Sequence, residues 1–163
     1  MSDDSFLATP PADGSPWRRT QRLGPHAVAF VLGSETPRAG QAQLASVTRF
    51  WTELAAFDAA ARLALHEDTL EDDAATSEYI DVHLDGLRFE VLTELFGDGD
   101  DIDPQGFVDA LVLEQVALQP ESRAAVFRYS LGPAITNYVL EVTTSLDRPA
   151  RSIEMVQITR PDD

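Results

Sequence analysis

Between Tyr138 and Leu146 the chain alternates in character: Tyr138, Leu140, Val142 and Leu146 are apolar, while Glu141, Thr143 and Ser145 are polar. A period of two sends successive side chains to opposite faces of an extended strand, giving one face for a core and one for water. Such a strand cannot stand alone. Its backbone groups need hydrogen-bonded neighbours, and its inner face needs an apolar cover. The neighbours lie close by in sequence. Phe127, Tyr129 and Leu131 alternate with Arg128 and Ser130 in a run over 123–131. Two further runs, 107–118 and 151–159, change phase midway. In the first, Leu111 and Leu113 fall on one face and Val116 and Leu118 on the other, so one extra residue near Glu114-Gln115 predicts a β-bulge. In the second, Ile153 and Met155 oppose Val156 and Ile158. Gly132-Pro133 and Asp147-Arg148-Pro149 supply turns. The expectation is a C-terminal four-stranded antiparallel meander.

The cover is found upstream. Over 38–66, Leu44, Val47, Trp51, Leu54, Ala61 and Leu65 share one helical stripe, widened by Phe50 and Phe57. Ala55, Ala56, Ala59 and Ala60 raise its intrinsic helicity. Asp58 interrupts the stripe, and Arg62 one turn later predicts an ion pair at its edge. Before this one long helix, Trp17–Gly33 reads as an N-terminal β-hairpin, with Gly24-Pro25 as the turn and 26–32 as an apolar strand. Between helix and meander, Ile80, Val82 and Leu84 alternate with Tyr79, Asp81, His83 and Asp85. Asp85-Gly86 is a strong turn signal, and Leu87, Phe89 and Val91 alternate after it. Ile80, Leu84 and Leu87 also fit a helical period, but Gly86 would weaken that helix. The reading adopted is a second hairpin near 78–95. Residues 1–16, rich in Pro, Asp, Ser and Gly, read as a mobile tail, leaving 17–163 as a single α+β domain with the helix packed on the sheet.

Composition narrows the chemistry. A chain of 163 residues can bury a core without covalent staples, and the absence of Cys excludes disulfides, thiolate zinc sites and a cysteine nucleophile. No apolar run approaches the ~20 residues of a membrane-spanning helix. The acidic N-terminus, Met1–Leu7, lacks the basic and apolar regions of a secretory signal, so a cytoplasmic location is expected. The net charge is −16, every one of the 12 basic residues is Arg, and Asn137 is the single Asn. That bias matches GC-rich codon usage and suggests a bacterial source. The charge repels nucleic acid and anionic membranes, and it favours a basic protein as partner. Arg18, Arg19 and Arg22, beside Trp17, form the one basic cluster, and they suit the blunting of an exposed strand edge. The sequence leaves the oligomeric state open.

Candidate sites are few. Asp98–Gly106 offers oxygen ligands at Asp101, Asp103, Gln105 and Asp109 in partial EF-hand spacing. The bidentate Glu expected at the twelfth position is replaced by Val112, and the plain reading is a solvated turn. His66, Glu67 and Asp68 beside Glu71, Asp72 and Asp73 are better explained as a helix end, where a cation suits the dipole. On a strand, Tyr79, Asp81, His83 and Asp85 would share a face, and a carboxylate beside an imidazole is how an acid/base pair begins. The plain reading there is a solvated strand face. No G-x-S-x-G elbow, phosphate-binding glycine loop or nicotinamide fingerprint occurs, and no cofactor is expected.

Ser77–Leu84, Phe107 through Leu113, Phe127-Arg128-Tyr129-Ser130 and Thr136–Val142 together resemble a family of short bacterial proteins known only as domains of unknown function. The resemblance covers about residues 45–158. It implies an α+β layer with an antiparallel sheet and says almost nothing about activity. Related short acidic folds recur among toxin-immunity proteins. The functional expectation is therefore a non-catalytic acidic macromolecule-binding protein, of which a toxin-immunity protein is one concrete version. The alternatives are a small metal-assisted hydrolase using His83 and the acidic 98–103 loop, and a nucleic-acid mimic.

Overall fold

The computed structural model describes residues 17–32, 41–98, 102–119, 123–145 and 151–160. The proposed tail 1–16, the turn at 147–149 and Asp101 lie outside the described residues. In chain order the elements are β1 (Trp17–Leu23), β2 (His26–Leu32), α1 (Gln41–Thr52), α2 (Leu54–Asp68), α3 (Ala75–Gly86) and α4 (Phe89–Phe96). They are followed by α5 (Pro104–Ala110), β3 (Val112–Gln119), β4 (Ala124–Ser130), β5 (Tyr138–Ser145) and β6 (Arg151–Gln157). The class is α+β. The six strands form one mixed sheet in the order of the sequence, with β2 parallel to β3 and every other neighbouring pair antiparallel.

β1 and β2 form the expected hairpin, closing Leu23 against His26 across Gly24-Pro25. Gly24 has φ 60°, a left-handed conformation that costs glycine little. The predicted bulge is present as well. Leu113 pairs with Tyr129 and Gln115 with Arg128, leaving Glu114 as the extra residue. Leu113, Val116 and Leu118 thereby share one buried face despite their spacing.

That face continues through Val28 and Phe30 of β2, Ala125, Phe127 and Tyr129 of β4, and Leu140 and Val142 of β5. The helices cover it. Phe50 stands edge-on to Phe127 at 5.8 Å, Trp51 edge-on to Phe30 at 4.4 Å, and Leu54, Ala61 and Leu65 of α2 complete the stripe. The side chains of Leu44 and Val47 lie outside the described residues. The expected single long helix is in fact two, interrupted at Glu53 (φ −99°, ψ 15°). Thr52 Oγ1 donates to the Thr48 carbonyl at 2.9 Å, a back-bond of the kind that bends helices.

Two other expectations are overturned. The hairpin proposed near 78–95 is the helix pair α3 and α4. Thr76, Tyr79, Ile80 and His83 form the buried face of α3, so the helical period prevails over the alternation. Gly86 sits at the last helical position and extended Leu87 caps the helix, so the glycine falls at the end of α3, not in its interior where it would weaken it. The strand expected over 107–118 begins as α5, because Asp103 accepts from Gln105 N–H at 3.3 Å and Pro104 follows at the first helical position.

Leu65 is fully buried, whereas Leu63, two residues away on the same helix, is 54% exposed. Leu65→Ala is expected to cost about 2–5 kcal/mol and Leu63→Ala about 0.5 kcal/mol or less. Urea unfolding midpoints of the two variants check this contrast, and equal losses would contradict the placement of α2 on the sheet.

Candidate functional site

Where β3 begins, β4 ends and β5 begins, polar side chains from four parts of the chain meet α3. His83 is buried on α3 and stacks on Tyr79 one turn earlier, with ring centroids 4.1 Å apart. His83 Nδ1 lies 2.7 Å from the Tyr79 carbonyl, which can only accept, so Nδ1 carries the proton. Nε2 then accepts from the Thr136 hydroxyl at 2.8 Å, while Thr136 Oγ1 accepts the Tyr138 N–H at 3.0 Å. The tautomer follows from these partners. Burial disfavours the imidazolium and pulls the His83 pKa below its usual 6.5, against a smaller opposing effect of the Tyr79 carbonyl.

The Tyr79 hydroxyl donates to the Tyr138 carbonyl at 3.3 Å and accepts the Leu131 N–H at 3.2 Å. Desolvation raises its pKa beyond the ordinary phenol range, so it stays protonated. Beside it, the bulge residue Glu114 is gripped by both terminal nitrogens of Arg160, each at 2.9 Å. Glu114 also accepts from the Ser130 hydroxyl, which itself accepts the Gly132 N–H at 2.8 Å. Arg160 further donates to the Thr136 carbonyl at 3.2 Å. Gly132 has φ 124°, open to glycine alone among residues without strain.

Chemically, this cluster is a clasp. Both imidazole nitrogens are engaged, the tyrosine cannot ionise near neutrality, and the Ser130 hydroxyl faces a carboxylate held by an arginine. The fixed hydrogen bonds tie α3, the bulge, the β4–β5 connection and the segment after β6 together. Of the residues singled out by sequence, Tyr79 and His83 belong to it. Asp81 and Asp85 do not; the helix turns them to solvent. Glu114, Ser130, Thr136 and Arg160 belong to no motif of the sequence. Only the phase shift at Glu114 hinted at any of them.

Of the proposed loop ligands, Asp103, Gln105 and Asp109 each have other partners. Asp103 is spent on capping α5, Gln105 donates to Thr69 Oγ1 at 3.1 Å, and Asp109 lies 3.0 Å from His66 Nε2. Helix α5 occupies the stretch where a calcium loop would have to wrap an ion. Among the described residues no group of three His, Asp or Glu side chains could hold a metal.

A second polar network borders an open cleft of about 300 Å³ lined by Leu23, Gly24, His26, Val28, Ala55, Asp58, Arg62 and Leu113. The predicted Asp58–Arg62 pair is present at 3.3 Å. The other Asp58 oxygen accepts from the Tyr129 hydroxyl at 2.6 Å, and Arg62 donates to the Leu111 carbonyl at 3.0 Å. Burial, then Asp58, raises the Tyr129 pKa well above its usual value. This network too is internally satisfied.

The surface is where the molecule is unusual. Residues 63–122 hold 17 of the 28 acidic residues and one of the 12 arginines, Arg88, so the rest of the chain balances to neutrality. Among the described residues from Glu67 to Asp109, twelve carboxylate side chains are exposed and Arg88 is the one exposed base. None of the described helices is long and apolar enough to cross a membrane. Comparison with protein-family models, curated proteins and solved structures finds no match to the chain.

The contribution of neutral His83 to stability has a definite pH window. Its folded pKa lies below its unfolded value, so the unfolded chain takes up the proton first. The stability is complete above about pH 6.5 and is lost as the pH falls from there through the lower folded value. His83→Gln should therefore unfold more easily at pH 7.5, by about 1–3 kcal/mol. It should also lose less than the parent between pH 7 and 5. Urea titrations of both proteins across that range decide it, and parallel curves would contradict the burial argument.

Proposed function

We propose that this chain is a non-catalytic binding protein that recognises a basic macromolecule through the acidic surface of α2–α5. The observation that carries the reading is the segregation of charge, since residues 63–122 supply the whole of the net −16, and twelve of their carboxylates are exposed among the described residues from Glu67 to Asp109. A field of one sign over a surface attracts an oppositely charged partner from a distance and orients it on approach. A toxin-neutralising protein is one member of this class, and a cytoplasmic location goes with the proposal. The engagement of His83, Tyr79 and Ser130 in the clasp supports a binding role over hydrolysis.

The test is affinity capture with immobilised protein. At about 0.02 M salt it should retain a basic protein from lysate, and at about 0.5 M salt it should release it, because screening shortens the range of exposed charges. Neutralising the surface with E71Q, D72N and D73N should weaken retention. Capture of nothing at low salt counts against the proposal, as does capture indifferent to both salt and neutralisation. Turnover of simple esters or phosphate esters with added calcium or magnesium, abolished by His83→Gln, would establish the hydrolase reading instead.

A further inference from the structure

The helices cover one face of the sheet, and strand alternation assigns the residues of the other. Val28 and Phe30 of β2 point into the core, so Ala27, Ala29 and Val31 point away from it, as do their β1 partners Arg22, Thr20 and Arg18. Followed across the ladder, one row of this outer face reads Thr20, Ala29, Gln115, Arg128, Glu141 and Glu154. The row beside it begins at Arg18 and passes through Val31, Ala117 and Val126. None of these side chains is fully buried, so among the described residues nothing encloses them. Their character does not suit water. A strand with one wet face alternates apolar and polar residues, whereas a strand buried on both faces reads as an apolar run. β2, His-Ala-Val-Ala-Phe-Val-Leu, is such a run, and Ala117 and Val126 carry its apolar outer surface to the centre of the sheet.

Charge selects the cover. Arg18 and Arg22 stand exposed on this face at the β1 edge, and Glu154 stands exposed on it at the β6 edge. Between them, Arg128 and Glu141 are paired with each other at 2.6 Å. The two signs are thus parted to opposite edges, and a partner of one sign suits only one of them. A second copy suits both. Two such faces meet across a twofold axis lying either across the strands or along them. An axis across the strands stacks β1 on β1 and Glu154 on Glu154, like charge on like. An axis along the strands reverses their order, and β6 of each copy then lies over β1 of the other. Glu154 shares its row with Thr20, and Arg18 and Arg22 lie two residues to either side of Thr20, so each glutamate falls between two arginines.

We propose that the outer face of the sheet docks a second copy of this chain, face to face about an axis along the strands. Six strands of seven or eight residues, spaced about 4.8 Å apart, give a footprint on the order of 700 Å². A stable dimer buries about 800 Å² of accessible surface per partner, so the face is large enough. The acidic helical layers point outward from this sandwich, away from each other. The proposal stands apart from the acidic-surface reading.

Sedimentation equilibrium of the full chain is the test, and the mass should be twice 17.8 kDa. A117E sets a charge in the apolar centre and should weaken the dimer by at least about tenfold. E154R should weaken it by about tenfold, as should R18E with R22E, and all three changes together should restore it. Those three positions are exposed, so the exchange decides the matter even where A117E fails to fold, and circular dichroism of each variant should match the parent. L70S and F89S, on the helical layer, should leave the mass unchanged.

A full chain that stays monomeric at its highest soluble concentration overturns the proposal. A monomer that dimerises only after removal of residues 1–16 gives the face to the chain's own N-terminal segment and overturns it too. So does a dimer that L70S or F89S dissociates, which moves the interface to the helices. A dimer indifferent to A117E, or not restored by the combined exchange, likewise overturns it. Capture of a basic protein from lysate bears on the acidic surface alone, so the two readings fail separately.

Discussion

β2 runs parallel to β3, and that single pairing determines how the middle of the chain is used. Parallel neighbours cannot be joined by a tight turn, so the chain leaving Leu32 must travel back along the sheet before it can enter Val112. Five helices lie on that return path. Because the inner face of the sheet is apolar from β2 through β5, the return path is held against it by Phe50, Leu54, Leu65, Tyr79 and Phe107. The same crossover contains almost all of the uncompensated charge. Where α2 and α3 turn apolar residues inward, their carboxylates Glu67, Glu78, Asp81 and Asp85 are left exposed. Charge segregation in this protein thus follows from topology as much as from composition.

The bulge at Glu114 has a comparable reach. It keeps Leu113 and Val116 on the buried side, and it frees one residue from the ladder to become the carboxylate at the centre of the clasp. Without a charged partner such a group would be costly to enclose. Arg160 supplies a two-pronged partner, and Ser130 occupies one of the same oxygens. The last described residue is thereby bound to the first bend of β3, and His83 and Tyr79 secure α3 to the same end of the sheet. A reader of the sequence sees His83 among aspartates and thinks of acid/base chemistry. In the folded chain it is a neutral crossbar.

How far the sequence could be read depended on whether one signal acted alone. The Gly24-Pro25 hairpin, the stripe through Phe50, Leu54 and Leu65, the Asp58–Arg62 pair and the bulge each had one physical explanation, and each is present. At 78–95 two periods fitted the same residues. The Asp85-Gly86 pair tipped the choice toward a turn, although glycine also belongs at the end of a helix. The Asp103-Pro104 pair is a start signal for α5, but among neighbouring aspartates and glycines it also fits a solvated turn. The clasp was illegible for a different reason. Glu114, Ser130, Thr136 and Arg160 span 46 residues and come together only through strand register, which local pattern does not encode.

The helical layer also breaks local rules that the rest of the fold respects. Asp81 and Asp85 are like charges one turn apart on α3, as are Glu90 and Glu94 on α4, and α4 has no base in its last turn to offset the dipole. Each such arrangement disfavours a helix by a few tenths of a kcal/mol, roughly the size of the corresponding favourable pairs. Arg49–Glu53 and Asp58–Arg62 show that the chain uses favourable pairs where the helices are near neutral in charge. A cationic surface laid on the carboxylates of α3 and α4 would turn each repulsive pair into half of an attractive one. On the acidic-surface proposal, that self-repulsion is the local conflict that a basic partner would relieve.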